Sequence, residues 1–227
     1  MIKFEHTKVM NLEAAIRGMR NPMNSWKKSD SYATFIEDAE TLETAEYQYF
    51  VGEEDLKLMK SLVKAGSDHR KFMRQIFVSV DITAPRYWWT EADTYKVGTV
   101  RNSCSTMHKI HEKEFTLNDF SIEHIDLLKI ENVGYYPFNH MIEDIIKVLN
   151  YARAEYIKTN DKKYWWQMIQ LLPQSYNQKA TVTMNYENIF NMYHARKNHK
   201  LDEWRIGFVE WAEQLPYFME LVGNEEK

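Results

Sequence analysis

An alternation near the middle of the chain limits the fold most. Apolar residues at 76, 78, 80 and 82 fall on one side of an extended segment, and mixed residues fall on the other. This period of two is typical of a half-buried β-strand. Shorter alternating or β-like runs predict further strands at residues 2–9, 46–51 and 180–184. The chain must therefore form a sheet, although the strands occupy little of its length.

Helical apolar stripes account for much of the remaining sequence. The longest predicted helix runs from Asn139 to about Tyr156, where apolar residues repeat at i, i+3, i+4 and i+7 from Ile142. Shorter helices are predicted at residues 12–20, 56–65, 120–132, 164–172, 186–196 and 202–221. Asn11, Asp161 and Asn185 are predicted to cap the helices that follow them.

Composition agrees with a helical chain and excludes several classes of protein. Only 7 Gly and 5 Pro occur in 227 residues, and no linker-like segment divides the sequence, so we expect one mostly helical domain spanning residues 1–227. A net charge of −4 does not favour binding to a nucleic acid polymer. No apolar run approaches the roughly 20 residues that a membrane span needs.

The only cysteine, Cys104, cannot form an internal disulfide, and no secretion signal is seen, so a cytoplasmic protein is expected. We interpret Cys104 as a buried structural residue, with a nucleophile as the alternative.

The segment from Gly98 to Thr106 is rich in hydrogen-bond donors. Arg101, Asn102, Ser103 and Ser105 are the residue types that hold a phosphate or the edge of a pyrimidine. The alternative is a capped surface loop, because Ser, Thr and Asn favour turns for local reasons.

Familiar catalytic motifs are missing. The sequence has no glycine-rich dinucleotide fingerprint, no phosphate loop and no Gly-x-Ser-x-Gly. His108, His111 and Glu112 have a helical spacing that suits a metal-dependent hydrolase, but no further ligand motif accompanies them. We expect no metal site.

Separated segments share their order and spacing with one enzyme family. Ala14-Ala15-Ile16-Arg17 comes first, residues 55–72 lead into the central strand, and Asn102 to Ser105 follow it. Leu172-Pro173 then precedes Asn185 and, eleven positions later, Arg196. Together, over about residues 12–212, these segments resemble the flavin-dependent thymidylate synthases. That family methylates dUMP with FAD, a reduced nicotinamide cofactor and methylenetetrahydrofolate.

The sequence departs from the family at its charged positions. Thr94-Tyr95-Lys96 or Tyr95-Lys96-Val97 stands where the family has Arg-His-Arg. Met107 and Glu187 replace arginines, and Ser103 replaces a glutamate. In the family these positions meet flavin or nucleotide phosphate, so their loss removes charge-assisted contacts. The nearest residues that could compensate are Lys96, Arg101 and Arg86.

The resemblance implies an α+β fold, mostly helical, with a small mixed or antiparallel sheet. It implies nucleotide binding by Ser105, Arg196, Glu91, Arg101 and Ser103. It implies flavin contacts by His69, Lys96, Asn102 and Asn185. No residue is implied as a nucleophile, because folate supplies the carbon and reduced flavin supplies the hydride.

The family's sites lie between subunits, so a homotetramer is implied, with the aromatic residues at 87–89 and 165–166 covered by a partner subunit. The alternative from another class is a non-catalytic, oligomeric module for nucleotide sensing or protein interaction. A structural alternative for Arg196 is an ion pair with Asp202 or Glu203.

Overall fold

The computed structural model describes residues 2–36, 46–125, 127–130 and 134–223. The first elements are β1 (Lys3–Met10), α1 (Leu12–Met19), β2 (Tyr32–Ile36), β3 (Glu46–Phe50), α2 (Glu53–Lys64), β4 (Phe77–Pro85), α3 (Arg86–Ala92), β5 (Val100–Ser103) and α4 (Thr106–Lys109). They are followed by β6 (Leu127–Ile130), β7 (Gly134–Pro137), α5 (Phe138–Thr159), α6 (Lys162–Leu171), β8 (Asn177–Asn185), α7 (Tyr186–Arg196), a π-helix (Glu203–Phe208), α8 (Val209–Glu213) and α9 (Phe218–Val222).

Four strands form the main sheet in the order β1-β4-β8-β5. The alternation predicted for β4 is present, because Val78, Val80 and Ile82 are buried. Two antiparallel pairs lie outside this sheet, β2 with β3 and β6 with β7. Helices occupy more of the chain than strands do, so the prediction of a mostly helical α+β fold with a small sheet is confirmed.

The chain divides into two compact units. Unit 1 contains Met1–Glu5, Asp81–Tyr95 and Arg101–Val182, and unit 2 contains His6–Val80, Lys96–Val100 and Thr183–Lys227. In unit 1 the predicted stripe of α5 is buried against Met168 of α6. In unit 2 the core includes Tyr186, whose hydroxyl donates to the Pro216 carbonyl over 2.8 Å. A single domain stays a prediction.

A buried ion pair joins Arg20, at the end of α1, to Asp55 of α2 within unit 2. Arg20 Nε donates to Asp55 Oδ1 over 2.5 Å, and both side chains are almost fully buried. The hydroxyls of Ser29 and Ser31 donate to the other carboxylate oxygen, each over 2.6 Å. Burial alone would raise the pKa of Asp55, but the two serines and Arg20 together lower it. The carboxylate is therefore charged, and both of its oxygens accept hydrogen bonds.

Two helix predictions are wrong. Residues 127–130 form strand β6, not a helix over 120–132, and Phe120 makes an antiparallel bridge with Tyr176. A few apolar residues cannot fix a short helix when a strand partner is available; residues 126 and 131–133 lie outside the described part. The predicted helix over 202–221 is instead a π-helix followed by α8 and α9, because the chain turns at Pro216, which has no N–H, and at Tyr217, with φ 58°.

Three side-chain predictions are also wrong. Trp88 and Trp89 are 1% and 4% exposed and belong to the core, where Trp89 Nε1 donates to the Gln178 carbonyl. Cys104 is exposed: its backbone N–H donates to the Lys179 carbonyl and its carbonyl accepts from Gln178 Nε2, which fixes the backbone after β5 and leaves the thiol at the surface. Asn11 starts α1 with φ 67° and makes no cap; its amide donates to the Gln75 carbonyl.

Other caps follow the prediction. Asp161 accepts from the Lys163 N–H and begins α6, and Asn185 begins α7. Within the described residues, no helix has the combined length and apolar character that crossing a bilayer requires.

Candidate functional site

The first turn of α7 collects several of the predicted residues of unit 2. Asn185 ends β8 and caps α7, since its side-chain oxygen accepts from the Asn188 N–H over 2.9 Å. Asn188 in turn donates through Nδ2 to the Val97 carbonyl and to the Thr99 hydroxyl, over 2.5 and 2.9 Å. These bonds hold the loop of residues 96–99 against the helix.

Gly98 allows this loop to approach so closely. Its φ is +74°, and a Cβ at this position would lie 2.8 Å from Asn185 Nδ2. Any other residue would be strained here and would push the loop away from Asn185. The loop leaves the Lys96 side chain exposed beside the first turn of α7, while Asn185 itself is only 8% exposed.

Glu187 brings a second segment to the same turn. Arg70 Nε donates to Glu187 Oε1 over 3.0 Å, and Arg74 Nε donates to Glu187 Oε2. Arg70 also donates to Asn191 over 3.1 Å and lies 4.6 Å above the ring of Phe190. The exposed His69 immediately precedes Arg70, so this turn of the chain is anchored by Glu187 as well.

The charges around Glu187 do not balance. Burial would raise the pKa of Glu187, but the hydrogen bonds from Arg74 and Arg70 lower it, so the carboxylate is ionised. Glu187 likewise raises the pKa of Arg74. Two guanidinium groups therefore face one carboxylate, and the side chain of Arg74 is 47% exposed. Asp68 also acts on Arg74, so Arg70, Arg74 and Lys96 stand against two carboxylates, which leaves an excess of one positive charge that an anion can reach.

Arg196 lies at the opposite end of α7. Its Cζ is 5.0 Å from the centre of the Trp204 ring, a cation–π contact that orients the guanidinium. Eleven residues of helix separate Asn185 from Arg196, which corresponds to about 16 Å. Asp202, one of the predicted structural partners, accepts from Arg205 over 2.6 Å.

In unit 1, the predicted nucleotide residues cluster on and after β5. Arg101 lies 4.5 Å above the Trp89 ring, with Nη1 3.1 Å from Asp93 Oδ1. The next two residues are Asn102, which is exposed, and Ser103, which is half-buried. Glu91 belongs to α3 of the same unit.

Ser105 has a local role that leaves part of it available. Its oxygen caps α4 by accepting from the His108 N–H over 3.2 Å. A hydroxyl also has one donor, so Ser105 can cap the helix and still donate to an anion. Arg86, one of the residues considered for compensation, is half-buried at the start of α3.

The metal alternative gains no support from the described residues, among which no group of three or more His, Cys, Asp or Glu side chains could hold a metal ion. Glu112 is instead paired with Lys109.

Arg70 and Arg74 were not among the residues predicted from the sequence. A signal was present: a glutamate stands at position 187, where the resemblance expects an arginine. A buried carboxylate requires a cation, and the structure supplies two of them from one segment.

No family profile and no curated protein matches the sequence. The structure is similar to the flavin-dependent thymidylate synthase ThyX from Helicobacter pylori, solved with FAD and dUMP, with a TM-score of 0.63 and 15% identity over 97% of this chain and 96% of that one. The chain has the fold of the flavin-dependent thymidylate synthases.

A second similar structure extends the comparison. The UMP/dUMP methylase PolB from Streptomyces cacaoi, bound with 5-Br dUMP, has a TM-score of 0.57 and 12% identity, covering 98% of this chain and 92% of that one. The predicted fold is thus confirmed over nearly the whole length of the chain.

Proposed function

We propose that this protein binds dUMP or a related pyrimidine deoxynucleotide and methylates it with a folate one-carbon donor and reduced flavin. The observation that carries the proposal is the likeness of almost the entire chain to proteins solved with dUMP or 5-Br dUMP. A cytoplasmic location and a reduced nicotinamide cofactor as the source of electrons are part of the same proposal.

The charges at the first turn of α7 fit an anionic cofactor such as FAD. The exposed side chains of Lys96 and His69 and the half-exposed Arg74 surround a turn with excess positive charge, which suits a diphosphate. Asn185 contributes shape and not a direct contact, because it is buried against Gly98. Exposed Asn102, in unit 1, is proposed as a further flavin contact. Bound flavin would supply the hydride that completes the methyl group.

The protein's own residues bind and orient the nucleotide in this proposal. Arg196 offers a guanidinium fixed on Trp204, and Arg101 offers one fixed between Trp89 and Asp93. Fixed guanidinium groups lose little conformational freedom on binding phosphate. Ser105 donates its hydroxyl, and Ser103 and Glu91 contact the remainder of the nucleotide. No side chain acts as a nucleophile.

The nucleotide proposal is tested by calorimetry with dUMP. Arg196→Lys keeps the charge but loses the bidentate fork, so affinity should fall about tenfold or more with little change in melting temperature. Arg205→Lys is the matched control, since Arg205 is exposed and paired with Asp202. Unchanged affinity in Arg196→Lys together with a lower melting temperature would assign Arg196 to structure.

The assembly proposal is a homotetramer. Sedimentation should give a species near four times the chain mass of 27.3 kDa. A monomer at micromolar concentration would contradict it.

One observation favours a second function, a non-catalytic nucleotide-sensing or interaction module. Glu187 stands where the resemblance expects a phosphate-binding arginine, and it already holds two arginines. Visible absorption distinguishes the two functions. Purified protein that is yellow, or that takes up added FAD, supports the enzyme. Colourless protein that binds dUMP but no FAD supports the module.

A further inference from the structure

Unit 2 contains a cavity that the proposed function does not use. It has a volume of about 320 Å³ and lies between α1, the chain that follows it and the β2–β3 hairpin. None of the residues proposed above for nucleotide or flavin lines it. Its walls combine three aromatic side chains with charged groups from α1.

The aromatic walls are fixed in place. Trp26 is about half exposed, yet its Nε1 donates to Asn21 Oδ1 over 2.7 Å. Tyr32 is stacked on Phe50, with ring centres 5.3 Å apart and an angle of 21° between the rings. Exposed aromatic rings that are already oriented bind a planar partner at a low entropic cost.

One buried arginine opens into the cavity. Arg20 lines it and is 4% exposed. Its Nε bonds Asp55 and its Nη1 bonds the Ser25 carbonyl over 3.3 Å. Among the described residues no hydrogen bond is made by Nη2, which leaves one edge of a rigid, buried guanidinium available.

A second arginine lies one helical turn earlier. Arg17 also lines the cavity, and its side chain has no hydrogen bond or ion pair with any residue that the structure describes. Glu13, four residues before Arg17 on the same helix, also lines the cavity, and its carboxylate accepts a hydrogen bond from the Tyr47 hydroxyl over 2.5 Å. Glu13 and Asp55 together match the formal charges of Arg17 and Arg20, so an anion is held here by the unused N–H groups of the two arginines and not by a net positive charge. A dianion such as a phosphate monoester is therefore disfavoured.

We propose that this cavity is a binding site for a planar aromatic monocarboxylate. The ring lies against Trp26, Tyr32 and Tyr49, and the carboxylate receives hydrogen bonds from the free edges of Arg17 and Arg20. The guanidinium fork matches the geometry of a carboxylate, and the aromatic walls select a flat ring.

The test uses naphthalene-2-carboxylate and its neutral carboxamide as probes of the intact protein. The indole N–H resonance of Trp26, assigned by its loss in Trp26→Phe, should shift saturably as the carboxylate is added. The protein should bind the carboxamide about tenfold more weakly than the carboxylate. Arg17→Gln should weaken binding of the carboxylate about tenfold, and because Arg17 is exposed its replacement should not disturb the fold. Arg205→Gln, which changes an arginine outside the cavity, should have no effect.

Three results would overturn the site. These are no shift of the Trp26 resonance, equal affinity for the two probes, or unchanged affinity in Arg17→Gln. Displacement of the probe by dUMP would also overturn it, by assigning the cavity to the nucleotide. Failure of dUMP to bind anywhere would leave this site standing and contradict the proposed function alone.

Discussion

Two carboxylates of unit 2 are held by arginines in different ways. Asp55 is fully buried, receives one arginine and completes its hydrogen bonds with Ser29 and Ser31. Glu187 is also buried but receives two arginines, one of which is about half exposed. The Asp55 pair is charge-balanced, whereas the Glu187 group carries an extra positive charge that reaches the surface.

This difference separates a charge pair that mainly stabilises the fold from a group whose extra charge can attract an anion at the surface. Balanced, desolvated charges stabilise the native state only because every partner is present. An unbalanced group keeps part of its field for an outside anion. The comparison therefore predicts that changes at Asp55 affect stability most and leave flavin affinity unchanged, while changes at Glu187 affect stability less and flavin affinity as well.

The largest effect is expected for Asp55→Asn. The substitution keeps the shape but leaves the Arg20 guanidinium buried without its counter-charge, so the free energy of unfolding should fall by about 3–5 kcal/mol. Urea denaturation measures it. Glu54→Gln is the control, because Glu54 is in an exposed pair with Lys57 that should contribute about 0–1 kcal/mol. Similar losses in both variants would contradict the structural role of Asp55.

Glu187→Gln should cost less stability, about 1–3 kcal/mol, because the partially exposed arginines can be solvated when the carboxylate charge is lost. The change also releases positive charge at the first turn of α7. If flavin binds there, its affinity should rise, as measured by quenching of flavin fluorescence. Weaker flavin binding in Glu187→Gln would mean that Glu187 positions Arg70 and Arg74 for the cofactor.

The sequence predicted well those features that repeat over a short distance. The α5 stripe recurs over several turns, and the Asn185 cap needs only the N–H three residues later. By contrast, Glu187 and Arg70 are 117 positions apart, and Arg20 and Asp55 are 35 apart. No local pattern joins such partners. The sequence therefore showed a glutamate at position 187 where the resemblance expects an arginine, but it did not show that Arg70 and Arg74 neutralise that glutamate. The helix predicted over residues 120–132 was wrong for a related reason, since pairing with β7 makes residues 127–130 a strand.

Acid should affect the two carboxylates in the same direction. Burial raises the pKa of Asp55 and of Glu187, but the hydrogen-bond partners of each carboxylate lower it by more, so both pKa values lie below the ordinary value. A lowered folded-state pKa gives stability that is present above the unfolded pKa and is lost as the pH falls through the folded value. Unfolding free energy should thus decline below about pH 5. Asp55→Asn should reduce that slope by at most about 1.4 kcal/mol per pH unit.

The smallest effect is expected for Arg74→Gln, and it tests the exposed side of the Glu187 group directly. Arg70 remains to neutralise Glu187 from a site that is only 16% exposed, and it keeps its bond to Asn191. Losing the half-exposed Arg74 should therefore reduce the free energy of unfolding by about 0–1 kcal/mol. The surplus positive charge disappears with it, so any flavin affinity should fall while stability is nearly unchanged. Denaturation and flavin titration of the same sample measure both quantities. A large loss of stability with unaltered flavin binding would make the Glu187 group as structural as the Asp55 pair, and the distinction between the two carboxylates would not hold.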